Sequence, residues 1–266
     1  MGRKNFNLKR IRHRLRKSLA QRGVLSTAAI LLRKSLQPGS RPFDAPKKYA
    51  EVHPFDRQFG VDTSELIPAE DLSSGKQKDL YNAGYFGVAP SVLRQILDRL
   101  QLDFEEHTFI DLGAGKGRAL LIASEYPFHA IVGVELSPKL HAIAVDNIAR
   151  CRGLAQRCGN VRSMEGDATE FIFPAGPLVI YLWNPFEAPV FASVLVNLEA
   201  ALMHEPRPVF IVYIQPDLEP MLEGSRFWHK MWREELRMSE EDYAAHPFPS
   251  RVEICSVFRS VLPTRG

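Results

Sequence analysis

Cysteine is scarce in this sequence and forms no recognisable pattern. The 266 residues include only Cys151, Cys158 and Cys255, an odd number with no C-x-x-C pair and no histidine beside them at metal-ligand spacing. The signatures of a disulfide framework and of a cysteine zinc site are therefore both missing. We expect a reducing compartment, with the cytoplasm as the location, and no structural metal.

Long apolar runs are absent as well. The longest nearly apolar stretch, 24–32, is interrupted by Ser26 and Thr27, whereas an α-helix needs about 20 apolar residues to cross a bilayer. We therefore expect no transmembrane helix. Hydrophobic residues at 45% and charged residues at 24% are ordinary for a globular protein with a sizeable core.

Acidic side chains are missing from the first 43 residues. This stretch contains twelve lysines and arginines, which leaves 22 of the 34 basic residues against all 31 acidic residues in the rest of the chain. Leu8, Ile11, Leu15 and Leu19 recur at helical spacing, which predicts an amphipathic helix. Residues 1–43 are therefore expected to form a basic leader and linker.

Three roles are open for this leader. It can be a solvated or docked tail, or it can bind an anionic surface, a membrane or nucleic acid, through residues 1–41. It can also be a mitochondrial transit peptide if the source is eukaryotic. The uneven charge of the chain fits all three.

Residues 44–104 form a second predicted segment, in which irregular stretches rich in aromatic residues precede a helix over 91–100. One interpretation is a lid, in which Tyr81, Tyr85 and Phe86 exclude water from a cofactor site. The other is an N-terminal extension that buries its aromatic rings against the core. Both interpretations place Tyr85 and Phe86 against the rest of the protein.

Residues 105–266 alternate strand and helix patterns at intervals that suit βαβ units. The pattern predicts an α/β fold: a doubly wound, mostly parallel seven-stranded sheet with helices on both faces, an antiparallel C-terminal hairpin and a helical N-terminal extension. The predicted strands cover 108–111, 130–136, 161–167, 178–184, 208–215, 227–236 and 251–260.

The stretch H-T-F-I-D-L-G-A-G-K-G at 107–117 has the pattern of a buried strand that enters a glycine-rich turn. Such turns bring bare backbone close to a nucleotide-like cofactor. A dinucleotide fingerprint would need glycine where this sequence has Arg118. The pattern instead resembles motif I of the class I, Rossmann-like methyltransferases that use S-adenosylmethionine (SAM). A turn without a ligand is the alternative.

Four successive predicted strands end in polar residues, which are Asp111, Glu135, Asp167 and Asn184. In open α/β sheets, ligands bind outside the carboxyl ends of the strands. One polar strand end is commonly a helix cap or a solvated loop residue. Four in order indicate a shared site.

The resemblance to class I methyltransferases covers about residues 85–215 and includes V-E-L-S and G-D-A, as in bacterial members without an assigned substrate. It implies SAM as cofactor and S-adenosylhomocysteine as product. Glu135 would accept hydrogen bonds from the ribose hydroxyls. The other residues expected to hold the cofactor are Asp111 near the methionine ammonium, Gly113, Ala114, Gly115 and Gly117 in the turn, and Leu136, Asp167 and Ala168 around the adenine.

Asn184-Pro185-Phe186 bears most directly on the methyl acceptor. It resembles a shortened form of the [D/N]-P-P-[F/Y/W] motif of amino-methyltransferases, with one proline in place of two. In that family the Asn oxygen accepts the hydrogens of the nitrogen, and the aromatic ring stacks on a planar group. The alternative is a helix N-cap, because Asn followed by Pro opens helices. Tyr85, Asp62 and water are the candidate bases.

The motif I helix is also similar to that of the non-SET lysine methyltransferases. The sequence thus predicts an enzyme that transfers a methyl group from SAM by in-line displacement to a nitrogen acceptor, such as protein lysine or a small-molecule amine. The alternatives are an O-methyltransferase, and a cofactor-binding regulatory module that the leader recruits to a membrane or nucleic acid.

Overall fold

The computed structural model describes residues 52–68, 72 and 84–261 of the chain. The predicted leader at 1–43, the beginning of the second segment and Tyr81 lie outside the described residues. Within the described part of the chain, no helix is long and apolar enough to cross a bilayer.

One seven-stranded sheet forms the centre of the fold. Five strands are parallel, in the order β3-β2-β1-β4-β5, and β7 and β6 follow as an antiparallel pair. This arrangement confirms the predicted sheet. The strands are β1 (Thr108–Leu112), β2 (Ala130–Glu135), β3 (Val161–Glu165), β4 (Leu178–Trp183), β5 (Val209–Ile214), β6 (Trp228–Arg237) and β7 (Val252–Ser260).

Helices connect the strands and begin where local sequence signals place them. Ser137 caps the helix after β2 by accepting a hydrogen bond from the Leu140 N–H, and Pro138 is the first residue of that helix. The α-helices are α1 (Pro54–Phe59), α2 (Pro90–Leu100), α3 (Arg118–Ala123), α4 (Pro138–Arg150), α5 (Ala188–His204), α6 (Glu219–Glu223) and α7 (Glu240–Ala245).

The sheet is covered on both faces, because neighbouring residues of its central strands point to opposite sides. On β1, Phe109 packs in a cluster with residues of α2 and α3, whereas Ile110 packs in a second cluster with residues of α5. Both side chains are fully buried. The predicted layers on both faces are therefore present.

The described part of the second predicted segment shares its core with the sheet. Phe55 and Phe59 on α1, together with Val61, belong to the same buried cluster as Phe109. Ile67 and Tyr85 form an isolated antiparallel bridge. Residues 52–68 thus pack directly against the sheet-containing part of the chain.

The position of β7 brings one further segment to the functional edge of the sheet. β7 lies between β5 and β6 and is antiparallel to both. The N–H of Gln215, directly after β5, donates to the carbonyl of Ile254 near the start of β7. The first residues of β7 therefore lie at the edge where the parallel strands end.

Candidate active site

The glycine-rich turn connects β1 to α3 in a backbone conformation that favours glycine. Gly113, Gly115 and Gly117 have φ angles of 91°, 56° and 85°, which side chains of L-residues disfavour. The Gly113 and Ala114 N–H groups both donate to the carbonyl of Val134. The turn is thus fixed against the end of β2.

Two of these glycines also leave room for neighbouring rings. A Cβ atom on Gly115 would lie 2.3 Å from the Tyr85 ring, and one on Gly113 would lie 2.7 Å from Pro185 Cβ. The sequence predicted that the turn lacks side chains so that a cofactor can approach its backbone. The structure shows that Tyr85 of the second segment and Pro185 of the Asn184-Pro185-Phe186 loop also occupy the space that side chains at Gly115 and Gly113 would fill.

Glu135 ends β2 with its carboxylate directed to the glycine turn. One oxygen accepts the Gly115 N–H at 2.8 Å and the other accepts the Ser137 N–H at 2.8 Å. Burial raises the pKa of Glu135, and these backbone hydrogen bonds oppose the shift. Each oxygen keeps a second lone pair, so the carboxylate can still accept two hydroxyl donors.

Asp111 lies beside Glu135 on the neighbouring strand. Its side chain is buried, and burial together with the charge of Glu135 raises its pKa well above the ordinary value. A cationic group placed here would favour the ionised form and offset that shift. The site is therefore electrostatically suited to an ammonium group.

Asp167 and Ala168 follow β3 as predicted. Asp167 Oδ1 accepts hydrogen bonds from the N–H and the hydroxyl of Thr169, at 2.9 and 2.7 Å, so the side chain caps the short 3₁₀-helix Ala168–Glu170. This capping role exists without any cofactor. The adenine contact remains a prediction.

A single cleft brings most of the predicted residues together. Tyr85 and Phe86 of the second segment form part of its wall. Of the predicted site residues, Gly117 and Asn184 do not line it. Those that do are Tyr85, Asp111, Gly113, Ala114, Gly115, Glu135, Leu136, Asp167, Ala168, Pro185 and Phe186; Tyr181 and Trp183 add two aromatic side chains that were not predicted.

Asn184 is held by protein partners and does not cap a helix. Its Oδ1 accepts a hydrogen bond from the Tyr213 hydroxyl at 2.9 Å, and its Nδ2 donates to Asp217 at 2.9 Å. Its φ is 41°, and α5 begins at Ala188 with Glu187 as the N-cap. The structure thus favours a side chain that shapes the loop carrying Pro185 and Phe186.

The candidate bases differ in their environment. The Tyr85 hydroxyl donates to the Thr63 carbonyl at 2.6 Å, and burial raises the pKa of Tyr85 further above its ordinary value. A phenol in this state is a poor base at neutral pH. Asp62 is half exposed, binds the Lys116 ammonium at 2.9 Å and does not line the cleft.

Two cations of the motif I region hold the second segment in place, and the sequence reasoning missed both. Arg118 is buried, lies 3.6 Å from the Asp56 carboxylate and donates to the Thr63 hydroxyl at 2.6 Å. Lys116 is buried and donates to Asp62 and to the Ser64 carbonyl, both at 2.9 Å. The available signal was charge complementarity between G-K-G-R and D-R-Q-F-G-V-D-T.

Asn147 on α4 completes this connection. Its Oδ1 accepts the Asp62 N–H at 2.7 Å, and its Nδ2 donates to the carbonyls of Asp62 and Lys116 at 2.7 and 2.9 Å. The side chain is fully buried. It therefore ties the second segment to the glycine turn through backbone groups alone.

The chain is similar to solved structures that share little sequence identity with it. The YcgJ protein of Bacillus subtilis is 12% identical, with a TM-score of 0.45, over 65% of this chain and 98% of that chain. A putative RNA methyltransferase of Pyrococcus horikoshii is 15% identical, with a TM-score of 0.44, over 67% and 83%. No curated protein sequence matches the chain.

A family model matches the part of the chain that contains the glycine turn. Residues 69–170 match the model described as "Histone methylation protein DOT1". This range includes Asp111, Glu135 and Asp167 with all three glycines, in the order that the resemblance to motif I predicted. The seven-stranded sheet, the turn at the end of β1 and this match support the predicted resemblance to the class I superfamily of SAM-dependent methyltransferases.

Proposed function

We propose that the chain binds SAM in the cleft at the carboxyl ends of the strands and methylates an amine nitrogen of a cytoplasmic acceptor. The observation that carries this proposal is the joining, in one cleft, of the glycine turn, the buried acids Asp111 and Glu135, and an aromatic wall. Three cysteines without disulfides suit the proposed cytoplasmic location.

The residues of the cleft fit SAM in charge and shape. Asp111 is a buried carboxyl whose raised pKa a cationic amino group would lower, and Glu135 has two oxygens with remaining acceptor capacity. Leu136 and Ala168 offer apolar surface near the ends of β2 and β3. When bound, SAM would supply a sulfonium that activates the methyl group.

The chain itself would position the acceptor and exclude water. Tyr85 and Phe86 line the cleft together with Pro185 and Phe186, and the Tyr85 ring packs on Gly115 of the glycine turn. The buried contacts of Lys116 and Arg118 hold the segment that carries Tyr85. Because alignment of the reacting groups can account for most of the acceleration in a displacement, these positioning contacts would be the main contribution of the protein.

Charge favours an amine acceptor that arrives as its ammonium form and releases a proton to water before its nitrogen attacks the methyl group. The guanidinium that lines the cleft, that of Arg118, is already paired with Asp56. Residues 44–266 carry 31 acidic and 22 basic residues. The family model that matches is described as a histone methylation protein, which supports a protein acceptor such as lysine; a small-molecule amine has the same chemistry.

The test is transfer of a labelled methyl group from SAM into fractionated cell extract. We expect label in protein or small-molecule amines, in products that are stable to mild base. Label lost in mild base as methyl esters, or confined to hydroxyl oxygens, would contradict the nitrogen acceptor and favour O-methylation. No transfer to any fraction, together with intact SAM binding, would favour the regulatory module.

Asn184→Ala tests the acceptor loop, and Asn197→Ala is its control. Both side chains are partly exposed amides with protein partners, but Asn197 donates to the Phe171 carbonyl, away from the cleft. Loss of the Tyr213 and Asp217 contacts should loosen the loop before Pro185. We expect Asn184→Ala to reduce methyl transfer with little change in SAM affinity. Equal activity in both variants would exclude a role for Asn184.

A further inference from the structure

Three buried polar atoms without hydrogen-bond partners occur together behind the aromatic wall of the cleft. They are the Tyr181 hydroxyl, Glu253 Oε1 and His246 Nε2, and the last two are 3.8 Å apart. The exposed fractions of the three side chains are at most 5%. Elsewhere in the described residues only His107 and Arg207 have such atoms, and both lie at the opposite edge of the sheet, before β1 and β5.

Glu253 reaches this position because β7 is antiparallel. It is the second residue of β7, so it lies at the edge where β1 and β4 end. Its Oε2 accepts a hydrogen bond from Trp183 Nε1 at 2.9 Å. Since Trp183 and Tyr181 both line the cleft, the carboxylate is directly behind two of its walls.

Aromatic faces cover the same end of the cleft. The Phe86 ring centroid is 6.2 Å from that of Trp183, 5.1 Å from that of His246 and 6.0 Å from that of Phe248. Phe86 and Trp183 are partly exposed, and both line the cleft. Aromatic faces attract cations, and a buried carboxylate behind them strengthens that attraction because the surroundings are of low dielectric.

We propose that the Phe86–Trp183 end of the cleft is a binding subsite for an organic ammonium group, with Glu253 as the residue that selects a cation over a neutral group. This inference rests on the proposed function and assigns its acceptor specificity to named residues. The aromatic faces contact the ligand. Glu253 acts through Trp183 and its own charge.

The groups around Glu253 make the subsite sensitive to pH. Burial raises the pKa of Glu253 to about 7, the Trp183 hydrogen bond opposes this and the charge of Asp242 on α7 adds to it. Burial lowers the pKa of His246, so this histidine is neutral when Glu253 ionises. The other facing groups are Tyr181 and Cys255, whose pKa values burial raises, and His53, which pairs with Asp242.

The experiment uses the full chain labelled with ¹⁵N at the tryptophan indoles. Loss of one resonance in Trp183→Phe assigns the reporter. Tetramethylammonium chloride is titrated at pH 8, with tert-butanol as the neutral probe of similar shape. In wild-type protein we expect tetramethylammonium to cause saturable shifts of the Trp183 indole resonance. In Glu253→Gln we expect tetramethylammonium to bind about tenfold more weakly. This variant removes the charge but retains a carbonyl oxygen that can accept the hydrogen bond from the indole N–H. Binding of tert-butanol should not change.

Glu235→Gln is the matched control, because Glu235 is an exposed acid on the neighbouring strand β6. Wild-type protein should also lose more tetramethylammonium affinity between pH 8 and pH 5.5 than Glu253→Gln does. Equal affinity of wild type and Glu253→Gln for tetramethylammonium would overturn the proposal, as would equal effects of Glu253→Gln and Glu235→Gln.

Methyl transfer, measured separately, distinguishes this proposal from the proposed function. If amines are methylated but Glu253→Gln leaves both their KM and tetramethylammonium binding unchanged, the subsite is wrong and the function stands. If tetramethylammonium binding depends on Glu253 while label enters only oxygen acceptors, the subsite stands and the nitrogen acceptor is wrong.

Discussion

The buried pair between Asp56 and Arg118 should be one of the largest single contributions of the second segment to stability. The Asp56 carboxylate accepts hydrogen bonds from the N–H groups of Thr63 and Ser64, both at 2.7 Å, and from both of their hydroxyls. It is also the charge partner of Arg118 at 3.6 Å, and both side chains are almost fully buried. Asp56→Ala removes all of these contacts at once.

The loss of stability expected for Asp56→Ala follows from the Arg118 guanidinium, which stays buried. Arg118 keeps its neutral partners, such as Thr63 and the Gly87 carbonyl, but loses its counter-charge. Breaking a buried ion pair from one side costs about 3–5 kcal/mol, and two backbone N–H groups lose their acceptor as well. We therefore expect Asp56→Ala to lower the free energy of unfolding by about 3–5 kcal/mol.

Urea unfolding followed by circular dichroism provides the measurement, and Asp146→Ala provides the control. Asp146 pairs with Arg150 at 3.2 Å on the exposed face of α4, and such pairs contribute only about 0.3–0.5 kcal/mol. The double variant Asp56→Ala/Arg118→Met should recover part of the loss, because it leaves no unpaired buried charge. A cost for Asp56→Ala within about 1 kcal/mol of the control would refute the reasoning.

The fold was predictable because its signals are local. β5 is apolar throughout, as a strand covered on both faces should be, and Ser137-Pro138 marks the start of α4 in the sequence alone. The order of the last two strands depends on distant pairing. Its trace in the sequence is the contrast between the charged β6, W-H-K-M-W-R-E-E-L-R, and the more apolar β7, V-E-I-C-S-V-F-R-S, which places β6 at the edge.

The cofactor side of the cleft was predictable for the same reason. Asp111 and Glu135 end parallel strands, and the general rule for open α/β sheets directs attention to such residues. The rule does not indicate Glu253, because it concerns the carboxyl ends of strands, whereas the antiparallel β7 brings its first residues to that edge.

The role of the second segment could not be derived from its sequence. Lys116 and Arg118 are ordinary residues for a turn and a helix start, and nothing local indicates that both are buried. Their burial depends on Asp56, Asp62 and the carbonyls of a segment about fifty residues away. The fixed position of Asn184 likewise depends on Tyr213, which belongs to β5, and on Asp217, which follows that strand.

Three further predictions concern the cofactor, the leader and pH. Glu135→Ala should weaken SAM binding in calorimetry by about 1–3 kcal/mol, since it removes charge-assisted acceptors. The control is Glu165→Ala, which removes an exposed acid on β3 and should leave SAM binding unchanged. Unchanged affinity in Glu135→Ala would refute the ribose contact. Deletion of 1–43 should abolish binding to anionic vesicles or nucleic acid while methyl transfer persists; binding retained without this stretch would contradict the anionic-surface role. Glu253→Gln should change how stability depends on pH.

The sign and size of this last effect follow from the pKa of Glu253, which rises from 4.5 to about 7 in the folded chain because the carboxyl is buried. Below pH 4.5 the group is neutral in both states. Between pH 4.5 and 7 the unfolded chain releases this proton and the folded chain retains it, so rising pH favours unfolding, by roughly 3 kcal/mol once pH exceeds 7. Glu253→Gln has no such proton. Urea unfolding of both proteins should therefore show that, from pH 4.5 to 8, the free energy of unfolding of the variant rises relative to that of wild type by about that amount. Parallel pH profiles would mean that the pKa of Glu253 does not differ between the folded and unfolded states.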